Sequence, residues 1–387
     1  MRFQDVMVDD ELKRRLAGLV KENRISHAQL FLGQPGNHSF ALAVAYAQFL
    51  SCENRGEWDS CGECASCQKY EKLSHPDLHL IFPNSTTKDI KKDPDSKQLA
   101  REFKQFVTDQ KYHIGLEEWL LTLGGENKQA SINIRDCTNI INENSNRSYE
   151  GGYKVYILWM VERLYHSAAP KLLKTLEEPE PNSLFILIAE NSDKILSTIL
   201  SRTQLVKVPR ISNEMIVRRL QNEFGVPETI ATDIAEISEG NYIRARQYFN
   251  EQGELKEMLS RFELMMKSAV HLSRKANNSQ IQFLTVQEMF TELVAQGRET
   301  QKNFLYFATR MFRNILLLSS NHQAVICATS QERALMEFFK PYIHLKNASA
   351  VLEECNKAIF HIERNGNSSI IFTDLYLNLC KHLVQSK

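Results

Sequence analysis

Apolar residues in this chain follow two rhythms, and the change from one to the other divides the sequence. Up to about Pro209, short apolar runs recur at Ala28–Leu32, Leu78–Phe82, Val155–Met160, Leu184–Ala189 and Leu205–Val208, mostly separated by segments with helical spacing. Such runs, alternating with helices, read as strands of a parallel sheet buried on both faces. The first run leads into Gly33-Gln34-Pro35-Gly36 and then Ala41-Leu42-Ala43-Val44-Ala45. That is the strand, glycine loop and helix order of a phosphate-binding α/β fold.

After Pro209 the strand signal fades. Glu214–Glu223, Glu228–Ser238 and Asn241–Asn250 read as three short helices broken at Gly225-Val226-Pro227 and Glu239-Gly240, a small helical lid over residues 211–252. From residue 253 to 387 the pattern is long and amphipathic, as in Leu259-Phe262-Met265-Met266-Val270 and Phe304-Phe307-Met311-Ile315-Leu318, which predicts a wholly helical domain. Within the α/β domain of residues 1–210, the stretch 84–131 breaks the alternation. Its charged run Ser85–Lys97 reads as a solvated loop, and Phe106–Leu123, with Trp119, follows; the whole is expected to be an insertion. At 387 residues the chain exceeds what one hydrophobic core organises, in keeping with several domains.

Charge narrows the function classes. Lys+Arg and Asp+Glu stand at 47 each, so no global field draws the molecule to nucleic acid, and a role near DNA needs a local surface or partners. The N-terminal residues show no apolar signal core, and no window approaches the ~18 apolar residues of a membrane span. A cytoplasmic protein with reduced thiols is expected. Four of the eight cysteines nevertheless crowd together as Cys52-x8-Cys61-x2-Cys64-x2-Cys67, the tight spacing that wraps tetrahedral zinc. Four thiolates leave no coordination position open, so the zinc expected there is structural. Cys137, Cys327, Cys355 and Cys380 are scattered and read as core or surface thiols.

A working phosphate loop, G-x-x-x-x-G-K-[ST], uses backbone N–H groups, a lysine and a hydroxyl that holds magnesium. The aligned octet here is Gly33-Gln34-Pro35-Gly36-Asn37-His38-Ser39-Phe40, with His38 at the last glycine, Ser39 at the lysine and Phe40 at the hydroxyl residue. Gly33, Gly36 and Ser39 thus belong to a degenerate loop at which ATP binding is expected to be weak or lost. The acidic pair that should close the strand at Val155–Leu158 is replaced by Trp159 and Met160.

Several short runs, Arg24-Ile25-Ser26-His27-Ala28, His75-Pro76-Asp77, Leu172–Pro179 and Thr198–Arg202, together with the four-cysteine insertion after the phosphate-loop helix, resemble bacterial clamp-loader subunits of the DNA polymerase III holoenzyme. The resemblance covers about residues 3–83 and 132–250, and the C-terminal part only by pattern. It implies an AAA+ α/β domain with a zinc module at about 52–67, a lid, and a helical collar for assembly. A failed phosphate loop combined with the cysteines looks like the delta-prime subunit, a rigid stator without ATPase of its own. The implied partners are the gamma/tau motor and delta subunits and, through the complex, the sliding clamp and primed DNA. Arg202 matches the arginine that the family projects into a neighbour's ATP site, where it is expected to reach a phosphate rather than its own chain; Thr203 stands at the family's cysteine. At the lid's nucleotide-sensing arginine this chain has Ile243, followed by Arg244, and that role is not carried over. Two rival readings are an ATP-hydrolysing motor subunit, against which Ser39, Phe40, Trp159 and Met160 count, and a stand-alone zinc-dependent nucleic-acid binder, against which the neutral charge counts.

Overall fold

The computed structural model describes residues 1–87, 90–124, 129–250, 252–273, 279–320, 322, 326 and 328–383; Cys327 lies outside them. The chain divides into two compact units, Met1–Arg219 with Gly240–Arg244, and Leu220–Glu239 with Ala245–Lys387. The three short helices after Pro209 are shared between the two units.

In the first unit, β1 (Ala28–Leu32), β2 (Leu78–Ile81), β3 (Lys154–Trp159), β4 (Ser183–Ala189) and β5 (Gln204–Lys207) form one parallel sheet in the order β2-β3-β4-β1-β5. Every strand expected from the apolar runs is present, with ends shifted by at most one residue. The runs are continuous because both faces are covered. Val155, Ile157, Trp159, Leu184, Ile186 and Ile188 enter one core, whereas Tyr156, Leu158, Phe185, Leu187 and Ala189 enter the other. This is the period-two alternation of a doubly buried sheet.

Helices α1 (Asp10–Lys21), α2 (Ser39–Ser51), α3 (Ala65–Glu71), α4 (Ala100–Asp109), α5 (Leu116–Thr122), α6 (Ile134–Asn144), α7 (Ala169–Glu177) and α8 (Ser197–Leu200) complete this unit's first two hundred residues. Helix α2 is apolar all round and buried along nearly its whole length, as befits the central helix behind a phosphate loop. The stretch 84–131 is less of an appendage than its polarity suggests. Its α4 and α5 send Phe103, Phe106, Val107 and Trp119 into the same core as α1 and α2. The charged run is not solvated throughout either, because Asp95 and Ser96 are buried and the Ser96 N–H donates to Asp136 at 2.7 Å.

Polar motifs serve as joints in this unit. Buried Asp77 accepts hydrogen bonds from Ser148 Oγ and from the N–H groups of Tyr149 and Glu150, at 2.8–3.0 Å, which anchors the turn before β3. Lys154, buried at the first position of β3, donates through Nζ to the carbonyls of Glu143, Asn144 and Asn146 and so caps the C-terminus of α6.

The helices that follow are α9 (Asn213–Phe224), α10 (Glu228–Ser238), α11 (Tyr242–Asn250), α12 (Gln252–Ser273), α13 (Ser279–Ala295), α14 (Arg298–Ser319), α15 (Ser330–Phe339), α16 (Ala348–Glu363) and α17 (Ser368–His382). The second unit has its own core, in which Phe262, Met265 and Met266 of α12 meet Phe304, Met311 and Ile315 of α14 and Phe372 and Tyr376 of α17. The whole chain therefore joins a parallel α/β fold to a helical C-terminal part. No helix among the described residues is long and apolar enough to cross a membrane.

Candidate functional site

The octet Gly33–Phe40 runs from the end of β1 into α2, in the place of a phosphate loop. Between β1 and α2, Gly36 takes φ +74°, and a Cβ there would lie 1.8 Å from Asn241 Oδ1, so only glycine fits. Asn241 is thereby packed against the loop while its Oδ1 also accepts from the Arg244 N–H, and the Tyr242 N–H donates to the Gly36 carbonyl at 3.2 Å. On the other side Asn37 fills the space beside Gly33, and its Oδ1 accepts from the Ser39 N–H at 3.1 Å. One of the α2 N-terminal donors, the group a bound phosphate would use, is thus satisfied by the chain itself.

His38, in the last glycine's place, is buried. Its Nδ1 accepts from the Met7 N–H at 2.8 Å, its ring stacks on His113 at 4.0 Å between centroids, and His113 in turn meets Tyr242 at 4.3 Å. Burial, with the charges of Arg219 and Lys13, pulls the His38 imidazole down to about 3, so it is neutral at physiological pH. The hydroxyl and lysine positions are equally altered. Phe40 is buried and stands edge-on to Phe103 at 5.9 Å, and Ser39 is buried with it.

At the end of β3 the two expected acids are core residues. Trp159 packs on Phe103 at 5.6 Å, and Met160, buried, holds a left-handed backbone at φ +60°. Carboxylates do occur just beyond, where Glu162 Oε1 accepts from the Glu190 N–H at 2.8 Å at the end of β4. Burial raises both groups, and the neighbouring Glu162 charge helps push Glu190 up to about 7. Glu162 is thus tied through one carboxylate oxygen to the backbone at the end of β4.

Arg202 follows α8, and three of the recognised runs converge on it. His27 Nε2 lies 2.9 Å from the Leu176 carbonyl, which fixes the end of α7 against the start of β1. The next residue, Glu177, accepts from Arg202 Nη2 at 2.5 Å, while Arg202 Nη1 donates to the Thr198 carbonyl at 3.0 Å and Ser201 Oγ at 3.3 Å. The side chain is at the surface, as expected. It is not free of its own chain, however: an acid from the leucine-rich run holds it, because the end of α7 and the turn after α8 are brought together beside the sheet. Thr203, at the family's cysteine, turns its hydroxyl to the Ile199 and Leu200 carbonyls.

Cys52, Cys61, Cys64 and Cys67 are brought together with all four Sγ atoms within 4.8 Å of one another; Cys52 and Cys61 are 3.5 Å apart and Cys61 and Cys67 3.9 Å. Zinc–thiolate bonds of about 2.3 Å in a tetrahedron place sulfurs about 3.8 Å apart, so the donor set fits. Backbone N–H groups already point at the sulfurs, from Cys61 to Cys52, from Glu63 and Cys64 to Cys61, and from Cys67 to Cys64, at 3.3–3.4 Å. Those from Glu63 and Cys64 draw the Cys61 thiol down to about 6, toward the thiolate a metal needs. The loop is fastened at its rim by Asp59, which accepts from the Phe3 and Gln4 N–H groups, and by Trp58, whose ring faces Lys21 Nζ at 4.1 Å. Cys137 and Cys355 are buried thiols elsewhere, and Cys380 is half-buried.

Residues 8–212, just over half of the chain, match the family model described as DNA polymerase III, delta subunit. The chain belongs to this family. Among relatives, it is 27% identical to DNA polymerase III subunit delta' of Bacillus subtilis, over 54% of this chain and 52% of that one, and 29% identical to subunit delta' of Yersinia pestis, over 49% and 43%. It is also 28% identical to DNA polymerase III subunit tau of Bacillus subtilis, over 57% of this chain and 31% of the relative. The chain thus spans about half the length of the curated delta' relatives it matches. Among solved structures, a gamma-subunit-related protein of Thermotoga maritima aligns over 95% of this chain and 99% of its own, at 13% identity and a TM-score of 0.35.

Three residues of this delta-family site escape a reading of the octet alone. His113 and Asn241 reach the loop from distant segments, and no local spacing marks them. Glu177 stands inside a recognised run, yet helix pattern alone makes it a solvated end.

Proposed function

We propose that this chain is the delta-prime-like, non-hydrolysing subunit of a bacterial sliding-clamp loader, and that it lends Arg202 to the ATP site of a neighbouring motor subunit. The observation that carries the reading is the conversion of a hydrolytic site into core: Phe40 and Trp159 both pack on Phe103, and His38 stacks on His113, where a magnesium hydroxyl, an acid and a glycine are needed. A guanidinium suits the lent role because it is permanently charged, planar and able to grip two phosphate oxygens. Its partners on this reading are gamma/tau-type motors and a delta subunit in the cytoplasm, with the clamp and primed DNA reached through the complex. Zinc, held by Cys52, Cys61, Cys64 and Cys67, would neutralise their thiolates and tie down a loop with little core of its own. The likeness to subunit tau keeps one alternative in view, an ATP-hydrolysing motor, and the isolated chain decides between them. Incubated with radiolabelled ATP and magnesium it should release phosphate at background rate, and Ser39→Lys alone should not rescue it, because Phe40, Trp159 and Met160 still offer no metal ligand. Turnover near 1 per second, ordinary for phosphoryl-transfer enzymes, would rule the non-hydrolysing reading out.

A further inference from the structure

We propose that Glu177 is a positioning residue for Arg202, holding its guanidinium ready for a phosphate on the neighbouring subunit; this rests on the trans-acting role of Arg202 given above. Long arginine side chains at a surface are costly to order, since each carries considerable rotamer entropy. Here that ordering is done in advance by three contacts from the same chain: Glu177 Oε1 on Nη2, and the Thr198 carbonyl and Ser201 Oγ on Nη1. The Nε–H has no partner among the described residues, so part of the fork stays available to an incoming anion. Glu177 is itself well placed. It is the last residue of α7, whose Leu172 and Leu176 are buried and whose Leu176 carbonyl is met by His27. Three runs far apart in sequence, around His27, Glu177 and Arg202, therefore act as one device, with His27 fixing the helix end, Glu177 orienting the charge and Arg202 delivering it.

Both members of the ion pair are substantially exposed, with 47% of the Glu177 side chain and 36% of that of Arg202 accessible. Such pairs contribute little to stability. A carboxylate of this kind can therefore orient the finger without trapping it, and Glu177→Gln should leave folding and assembly intact.

The test compares the assembled clamp loader containing wild-type chain, Glu177→Gln, Arg202→Ala and the double variant, with ATP turnover measured across ATP concentrations. In parallel, the isolated chains are treated with phenylglyoxal, and the Arg202 peptide is followed by mass spectrometry. Glu177→Gln is expected to lower kcat at the adjacent site about two- to fivefold, the range an exposed ion pair can supply, with KM for ATP unchanged. It should have no further effect in the Arg202→Ala background, and should speed modification of Arg202. Turnover unchanged by Glu177→Gln while Arg202→Ala is slow overturns this inference alone, as does a further loss in the double variant. If Arg202→Ala itself leaves turnover unchanged, the trans-acting reading fails, and the positioning role falls with it even where phenylglyoxal reactivity rises.

Discussion

His38 carries a measurable signature of the altered phosphate loop. A histidine held at about 3 in the folded chain but near its ordinary 6.5 when unfolded binds a proton only on unfolding in the window between those values. Stability contributed by the neutral ring is therefore fully present above pH 6.5 and is lost as pH falls toward 3. Chemical denaturation of His38→Gln and wild type at a series of pH values should differ in slope across this window by about one proton, roughly 1.4 kcal/mol per pH unit. Equal slopes would mean that the ring is not held neutral. The replacements themselves were legible in the octet, since Ser39 and Phe40 cannot do the work of lysine and a magnesium hydroxyl. What fills the space was not, because Asn241 on Gly36 and His113 on His38 are contacts between segments that no local pattern links. The same holds for Arg202, whose motif was visible while its grip by Glu177 depended on how α7 ends.

At the scale of elements, the apolar runs located the strands because a sheet covered on both faces leaves little room for polar residues. The cysteine spacing located the metal-competent loop for a similar reason, as Cys61-x2-Cys64-x2-Cys67 wraps tightly enough to converge its sulfurs. One zinc per chain is expected by elemental analysis of freshly purified protein, and Cys64→Ala should lose it and loosen the loop between α2 and α3. Stoichiometry near zero before chelation would contradict the assignment. The stretch 84–131 was the least legible, since its polarity hides a few large side chains. Trp119 is fully buried among Phe82, Phe103 and Phe106, with its Nε1–H donating to the Pro83 carbonyl at 2.7 Å. Trp119→Ala should cost about 3–5 kcal/mol in thermal or denaturant unfolding of the first unit. A loss under about 1 kcal/mol would make the stretch the appendage its sequence suggests.

At the scale of the whole molecule, each compact unit has a separate core, and the family match at residues 8–212 falls on the first with the start of α9 beyond its limit. Long amphipathic spacing sufficed to read the second unit as helical, but amphipathic helices pack in many ways, so its partners could not be read from pattern. On the proposed reading, the chain's contribution lies outside itself, in a neighbour's ATP site that Arg202 would complete. The most direct measurement is ATP turnover by a clamp loader reconstituted with Arg202→Ala. The complex should assemble normally and lose part of its turnover, since on this reading only the site next to this chain would borrow the arginine, and where such fingers have been measured in GTPases they contribute roughly 10³–10⁵ in rate. Arg202→Lys should be nearly as defective, because an ammonium cannot reproduce a planar two-bond contact. Normal assembly with unchanged ATP turnover and unchanged clamp loading would contradict the account and leave Arg202 a surface charge paired with Glu177.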